Sequence, residues 1–183
     1  MKKLFLMLVV VSTSFIGYCQ TASDLFNNKE MSVSWLGVDY SQVKLIGKFD
    51  QFADWGEQSL AELKNDYFPA WNKVVVNERQ KYDIAKMLDR KEVYYDIDMM
   101  MKHNANAKLD ELEAYNEPNY TPEQVEKFVK QYKFKNKEGI GVSLLAESYN
   151  KAVGMATYHF VAINMKTGCK LSSYSDHSKV EWV

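Results

Sequence analysis

Three apolar stretches near the C-terminus constrain the fold more than any other feature of this chain. They read "IGVSLLAESY", "MATYHFVAIN" and "KLSSYS", and only "NKAVG" and a tight turn around "KTG" separate them. Parallel neighbours need a crossover of about a dozen or more residues, whereas short turns join antiparallel neighbours. The sequence therefore predicts an antiparallel meander, with the final "VEW" as a candidate edge strand.

Further strand signals lie upstream of the meander. β-Branched and aromatic residues predict strands from Ser32 to Asp39 and over "KEVYYDIDM", and Gly37 marks a bulge or a close backbone approach. "VKLIG" predicts a second short strand or a continuation of the first. "GKFDQFADWGEQ" has the composition of a loop.

The first helix is predicted from a capping box, in which Ser59 and Glu62 each satisfy a backbone N–H group of the helix N-terminus. We expect this helix to begin at about Leu60 and to break or kink near Pro69, because proline lacks an N–H and clashes with the carbonyl four residues back. It should then continue through "AWNKVVVNERQKY".

The second helix begins with Thr121 as N-cap, Pro122 at the first helical position and Gln124 at the return position of a capping box. Apolar side chains at helical spacing extend the prediction over residues 122–132. Strand, helix, strand, helix and a run of strands together predict a single α/β domain: one mixed β-sheet, two main crossover helices and the C-terminal meander. The alternative class is α+β.

Residues 1–19 have the features of a signal peptide: two lysines, an apolar run from Leu4 to Val11 and the small-x-small end "GYC". The mature domain is then 20–183, located in the periplasm or outside the cell. The apolar run is shorter than the roughly 20 residues that a bilayer core requires, and no other segment comes close, so we expect no transmembrane segment in the mature chain.

Cys19 also raises the question of a lipid anchor. Its preceding residue is Tyr18, whereas lipoprotein processing requires a small side chain there. We therefore favour cleavage after Cys19 over lipidation on it.

The mature composition limits the classes of partner. Loss of Lys2 and Lys3 reduces the 23 basic residues to 21, against 24 acidic residues, so the net charge is −3 with both signs interspersed. This predicts no nucleic-acid partner. Cys169 is the single mature cysteine; it is a candidate nucleophile with His159 or His177 as base, but we favour a small side chain after a hairpin turn.

The segment "YYDIDMMMKHNAN" holds the candidate catalytic residues Asp96, Asp98 and His103. On a strand the two aspartates share a face, where their carboxylates would share a cation or act as an acid–base pair, and His103 would add a nitrogen. A solvated strand face has the same pattern and is the favoured interpretation, under which the protein needs no metal and no cofactor. The alternative is a metal-dependent or acid–base hydrolase.

Two other groups of residues are candidates for a site. Tyr115 and Tyr120 are candidate binding residues in the polar connection over 102–120, where we expect at most one short helix at "LDELEAY"; connections of this length are often functional. Glu147 and His159 fall on neighbouring predicted strands and would pair if the register allowed, although a satisfied core or edge histidine is favoured.

Established catalytic motifs are missing from the sequence, including G-x-S-x-G, H-E-x-x-H, the P-loop and C-x-x-C. Their absence favours a non-enzymatic protein and leaves catalysis open.

Several segments resemble known proteins. "SWLGVDYSQVKLIG", "DYFPAWN" and "KYDIAKML" resemble an uncharacterised family of exported Bacteroidota proteins, and "FVAINMKTGCKL" is similar to the closing hairpin of envelope lipoproteins related to the curli secretion component and to penicillin-binding-protein activators. The first resemblance implies export and the second an assembly role, without site residues. Export, the balanced charge, the missing catalytic motifs and the two tyrosines of the 102–120 connection lead us to expect an exported, non-catalytic binding or assembly module whose partner is a protein or glycan of the cell envelope.

The export hypothesis predicts a mature protein that begins at Gln20. The intact mass of protein recovered from the native envelope or medium should match residues 20–183. A mass that retains residues 1–19, or that carries diacylglycerol on Cys19, would contradict it.

Overall fold

A six-stranded mixed sheet forms the centre of the molecule, as the α/β prediction requires. The computed structural model describes residues 27–47, 49, 51–52, 56–57 and 59–179, so the predicted signal peptide and "VEW" lie outside the described residues. The strands of the sheet are β1 (Val33–Asp39), β2 (Lys44–Ile46), β5 (Tyr94–Tyr95), β6 (Ile140–Asn150), β7 (Met155–Asn164) and β8 (Lys170–Lys179). A separate antiparallel pair, β3 (Gln51–Phe52) and β4 (Gly56–Glu57), lies within the segment predicted to be a loop.

The strand order is β5-β1-β6-β7-β8, and β2 also pairs with β6, further along that strand than β1. The pairs β1–β5, β1–β6 and β2–β6 are parallel, while the pairs β6–β7 and β7–β8 are antiparallel. The predicted meander is therefore confirmed, and of the two alternatives for "VKLIG" the structure shows the second short strand, β2.

The helices lie between the parallel strands and in the connection before β6. They are α1, made of α-helical Leu60–Glu62, π-helical Leu63–Tyr67 and α-helical Phe68–Asn77, then α2 (Ile84–Met87), α3 (Asp98–Asn104) and α4 (Pro122–Val129), with a 3₁₀ turn at Leu109–Glu111. Both predicted capping boxes are present, at Ser59 with Glu62 and at Thr121 with Gln124.

The predicted break near Pro69 takes the form of a π-helical segment. The N–H of Phe68 donates to the carbonyl of Leu63, five residues back, so the helix widens just before the proline and continues. The prediction that the helix extends through "NERQKY" is wrong, because Glu78 leaves the helical region and the Arg79 Nε caps the carbonyl of Val76 at 3.0 Å.

The second helix is also shorter than predicted. α4 ends at Val129, and the chain turns at Lys130 and Gln131 before Tyr132. Tyr132, whose spacing suggested a longer helix, is nevertheless buried. It reaches the core from the segment that follows the helix.

Helices cover the two faces of the sheet with different cores. On the face that we call the α1 face, Trp35 and Val142 belong to a core that includes Phe68 of α1. On the opposite, α4 face, a second core joins Leu36 of β1 to Met100 of α3 and Val125 of α4. The alternation of side chains along β1 thus supplies both cores.

The strand predicted over "KEVYYDIDM" is confirmed only at Tyr94 and Tyr95 and is wrong on both sides of them. The N–H of Asp96 still donates to the carbonyl of Trp35 at 2.9 Å, but Ile97 has helical dihedral angles and α3 begins at Asp98. Met100 and Asn104 are buried while Lys102 between them is exposed, which fits a helix and not a strand, where all three side chains would share a face. Burial of this helix face decides the local structure.

Strand β1 bulges at Gly37, as predicted. Gly37 has φ 97°, the register with β6 shifts between Trp35 and Val38, and an added Cβ would lie 2.5 Å from the Asn72 Oδ1. Both the conformation and the space therefore favour glycine here.

Two buried asparagines hold β1 just after the bulge, where β5 has ended. The Val38 N–H donates to the Asn72 Oδ1 at 2.7 Å, and the Val38 carbonyl accepts from the Nδ2 of Asn72 at 3.0 Å and of Asn104 at 2.8 Å. The Tyr40 N–H donates to the Asn104 Oδ1 at 2.8 Å. These amides, one from α1 and one from α3, supply the hydrogen bonds that a longer β5 would have made.

We predict that Asn72→Ala lowers the free energy of unfolding by about 3 kcal/mol, because it leaves the Val38 N–H buried without a partner. Denaturant unfolding measures the change. Asn65→Ala, at an exposed position on the same helix, is the matched control and should change stability by less than about 0.5 kcal/mol. Equal effects of the two substitutions would contradict this role for Asn72.

Candidate functional site

The structure brings Asp96, Asp98 and His103 to the wall of one pocket of about 570 Å³. They do not share a strand face, since Asp96 follows β5 and the other two belong to α3. The rest of the wall is mainly basic and polar, formed by Met99, Lys102, Asn106, Gln131, Lys133, Lys135 and Lys137. The candidate catalytic residues therefore lie together, in surroundings richer in cations than in carboxylates.

The two aspartates have separate structural roles. Asp96 forms an ion pair with the ammonium group of Lys137. Asp98 lies in the first turn of α3, where the helix dipole favours a negative charge. Across the described ranges, no three His, Cys, Asp or Glu side chains form a group that could hold a metal ion.

Behind His103 lies a fully buried carboxylate, that of Asp39. The Tyr132 hydroxyl donates to the Asp39 Oδ2 at 2.6 Å, and the Ser41 N–H donates to Oδ1 at 2.8 Å. Burial raises the pKa of Tyr132 well above its usual value, and the Asp39 charge adds to the effect, so the hydroxyl remains a neutral donor.

His103 lies between that carboxylate and the pocket. Its Nε2 is 3.6 Å from the Asp39 Oδ2, which is too long for a hydrogen bond, and this buried nitrogen has no hydrogen-bond partner among the described residues. Sequence reasoning missed Asp39 because the last residue of a strand carries no distinguishing pattern.

Glu147 and His159 do pair across β6 and β7. Leu145 lies opposite His159, and a bulge between Ala146 and Ser148 displaces Glu147 so that its Oε2 lies 2.5 Å from the His159 Nε2. Both side chains are buried. The favoured interpretation, a satisfied core histidine, agrees with this geometry.

The Glu147 carboxylate also positions Tyr120. Its second oxygen, Oε1, accepts from the Tyr120 N–H at 2.9 Å, and the Tyr120 hydroxyl donates to the Gln42 carbonyl at 2.8 Å. Burial, with a smaller contribution from the Glu147 charge, raises the pKa of Tyr120 to about 12. Tyr120 is therefore an anchor of its loop, with its hydroxyl already engaged.

Tyr115 has the opposite environment. Its side chain is 100% exposed, whereas both ends of its loop are fixed. Before it, the Leu45 N–H donates to the Leu112 carbonyl at 2.7 Å and the Ala114 N–H to the Leu45 carbonyl at 3.1 Å. After it, the Asn150 Nδ2 donates to the Glu117 Oε1 at 2.7 Å, three residues before the Tyr120 anchor.

Cys169 lies at the end of the turn between β7 and β8 and is exposed. Its N–H donates to the Thr167 Oγ1 at 3.3 Å, and its carbonyl accepts from the Asn164 N–H at 2.9 Å. These contacts agree with a small side chain after a hairpin turn.

Lysines are the wall residues that sequence reasoning missed. Lys133, Lys135 and Lys137 recur at every second position of "KFKNK" and line the pocket beside Asp96. This repeat indicates a locally basic surface, which the net charge of the whole chain does not reveal because acidic residues elsewhere offset the lysines.

Comparison with known proteins identified no matching family model, no matching curated protein and no matching solved structure. The resemblances to exported Bacteroidota proteins and to envelope lipoproteins therefore stay predictions. Within the described ranges, no helix has the length and apolar character needed to cross a bilayer.

We predict that Glu147→Ala lowers the free energy of unfolding by about 3 kcal/mol, because it leaves His159 and the Tyr120 N–H without their buried partner. Hydrogen exchange should also become faster for the amides of residues 114–121. Glu113→Ala, at an exposed position of the same connection, is the control. Unchanged exchange in the loop would contradict the anchoring role of Glu147.

Proposed function

We propose that this protein is an exported, non-catalytic binding module of the cell envelope, which contacts a protein or glycan through the loop that carries Tyr115. The observation that carries the proposal is the full exposure of Tyr115 between two anchored ends of one loop.

The physical argument is preorganisation. A tyrosine offers a large amphipathic contact area with few rotatable bonds, and a loop that is already ordered loses little entropy when it binds. Binding residues are commonly displayed on loops that a rigid scaffold positions. Here the scaffold is the edge formed by β2 and the end of β6, to which the loop is hydrogen-bonded through Leu45 and Asn150.

Two sequence features support the remaining parts of the proposal. The basic and apolar start of the chain supports export, and the absence of established catalytic motifs supports a non-catalytic role. The Lys137 partner of Asp96 is a further argument, because a carboxylate paired with an ammonium group is a poorer metal ligand or base.

The hydrolase hypothesis is the second candidate. The observation in its favour is that Asp96, Asp98 and His103 line one pocket. A hydrolase that used the aspartates as metal ligands would be stabilised by a divalent cation, through mass action on the folded state, and Asp96→Asn with Asp98→Asn would abolish that stabilisation.

A photoreactive phenylalanine at position 115 tests the binding proposal directly. We expect crosslinks to one specific protein or glycan component in the native envelope, identified by mass spectrometry. The same residue at position 94, where Tyr94 is also exposed, is the matched control and should not give that product.

Tyr115→Ala should abolish partner capture by a general crosslinker while changing stability by less than about 0.5 kcal/mol, because an exposed side chain without contacts contributes little to folding. Identical products from positions 115 and 94, or undiminished capture by Tyr115→Ala, would contradict the proposal.

A further inference from the structure

A lysine-rich surface on the α4 side of the molecule forms a second candidate site, distinct from the Tyr115 loop. Beside the pocket that holds Asp96 lies another of about 700 Å³, and Lys133 and Lys135 line both. The segment from Tyr132 to Lys135 therefore forms a ridge between the two pockets, which we call the lysine ridge. Three more lysines border the second pocket, namely Lys130, Lys166 and Lys170.

Alternation along the lysine ridge sets the direction of its side chains. Tyr132 is buried and donates to Asp39, and the ring of Phe134 packs against that of Tyr132 at 6.3 Å. Lys133 and Lys135, at the alternate positions, are exposed. Tyr132 and Phe134 therefore point towards the core, and the ammonium groups of both lysines are directed towards solvent.

The charges around the ridge are only partly balanced. Lys130 pairs with Glu126 at 2.7 Å and Lys166 with Glu138 at 2.9 Å, and Lys137 pairs with Asp96. In the part of the chain that the structure describes, Lys102, Lys133 and Lys135 have no carboxylate partner, although all three line the first pocket. Clustered like charges repel one another, so an anion bound here would offset that repulsion.

We propose that the lysine ridge binds a polyanionic glycan, with anionic substituents of the sugar chain in the pockets on its two sides. Concave pockets of this size accommodate small ligand units, and the partly exposed ring of Phe134 in the second pocket suits the C–H face of a sugar ring. Carboxylate and sulfate groups are the chemistry that the ammonium groups would recognise.

The composition of the surface disfavours nucleic acid. Arginine, with its planar fork, is the preferred residue for bidentate recognition of phosphates and guanine, and neither pocket contains one. Binding of single strands also relies on several exposed aromatic rings on which successive bases stack, whereas Tyr132 is buried and Phe134 is the one partly exposed Phe, Tyr or Trp ring among the residues that line the two pockets.

The test is binding of the purified chain to a sulfated oligosaccharide and to an oligogalacturonate, measured by calorimetry at several salt concentrations. We expect saturable binding to at least one of them that weakens with salt. Lys133→Gln with Lys135→Gln should reduce the affinity about tenfold or more, since each lysine supplies one screened charge contact. The slope of log affinity against log salt should fall by about two.

Lys73→Gln with Lys86→Gln is the matched control, because it makes the same change in charge at exposed positions of α1 and α2, on the opposite side of the sheet. It should keep the wild-type affinity. Thermal unfolding checks that the ridge variant is folded. If it is not, Lys102→Gln, which alters the first pocket alone, tests the proposal independently and should also reduce the affinity for the glycan.

Four outcomes would overturn the proposal. They are binding to neither glycan, equal losses in the ridge and control variants, binding to single-stranded DNA or anionic vesicles alone, and stabilisation by a divalent cation that disappears in Asp96→Asn with Asp98→Asn. The last result would assign the first pocket to a metal and support the hydrolase hypothesis.

Discussion

The hydrogen bonds that Asn72 and Asn104 make to β1 are the constraint on which the rest of the structure depends. They hold the strand where β5 has ended and Gly37 has shifted its register, and they tie α1 and α3 to the same carbonyl from opposite faces. Beyond this point Tyr40 stacks on Phe68 of α1 at 4.4 Å, while Asp39 accepts from Tyr132 after α4. One bulge therefore orients both layers of helices around a common backbone position.

A second bulge, in β6 just beyond the residues that pair with the end of β1, repeats this principle. Displacement of Glu147 from the β6 ladder turns a buried carboxylate towards both His159 and the backbone of Tyr120. Buried polar side chains are costly unless they are satisfied, so each such group fixes the segments that satisfy it. The irregular positions of the strands thereby determine where the Tyr115 loop and the lysine ridge lie.

Local chemistry made much of the fold predictable. The short turns of the meander, the capping boxes at Ser59 and Thr121, and Gly37 each act over a few residues, and the structure contains all of them. The failures came from tertiary contacts. "YDIDMM" has strand-like alternation, yet burial of Met100 against the α4-face core makes it helical, and nothing near Asp39 in the sequence indicates that Tyr132 will reach it.

The electrostatics show why a candidate surface is harder to predict than a fold. The net charge of −3 predicted for the mature chain argues against polyanionic partners, yet lysines gather around two pockets. They are Lys102, the lysines of "KFKNK" and those beside the β7–β8 turn. They are brought together because α3, α4 and that turn pack on one face of the sheet. Screening restricts each charge to a range of about 8 to 10 Å, so a ligand responds to this local cluster and not to the sum over the chain.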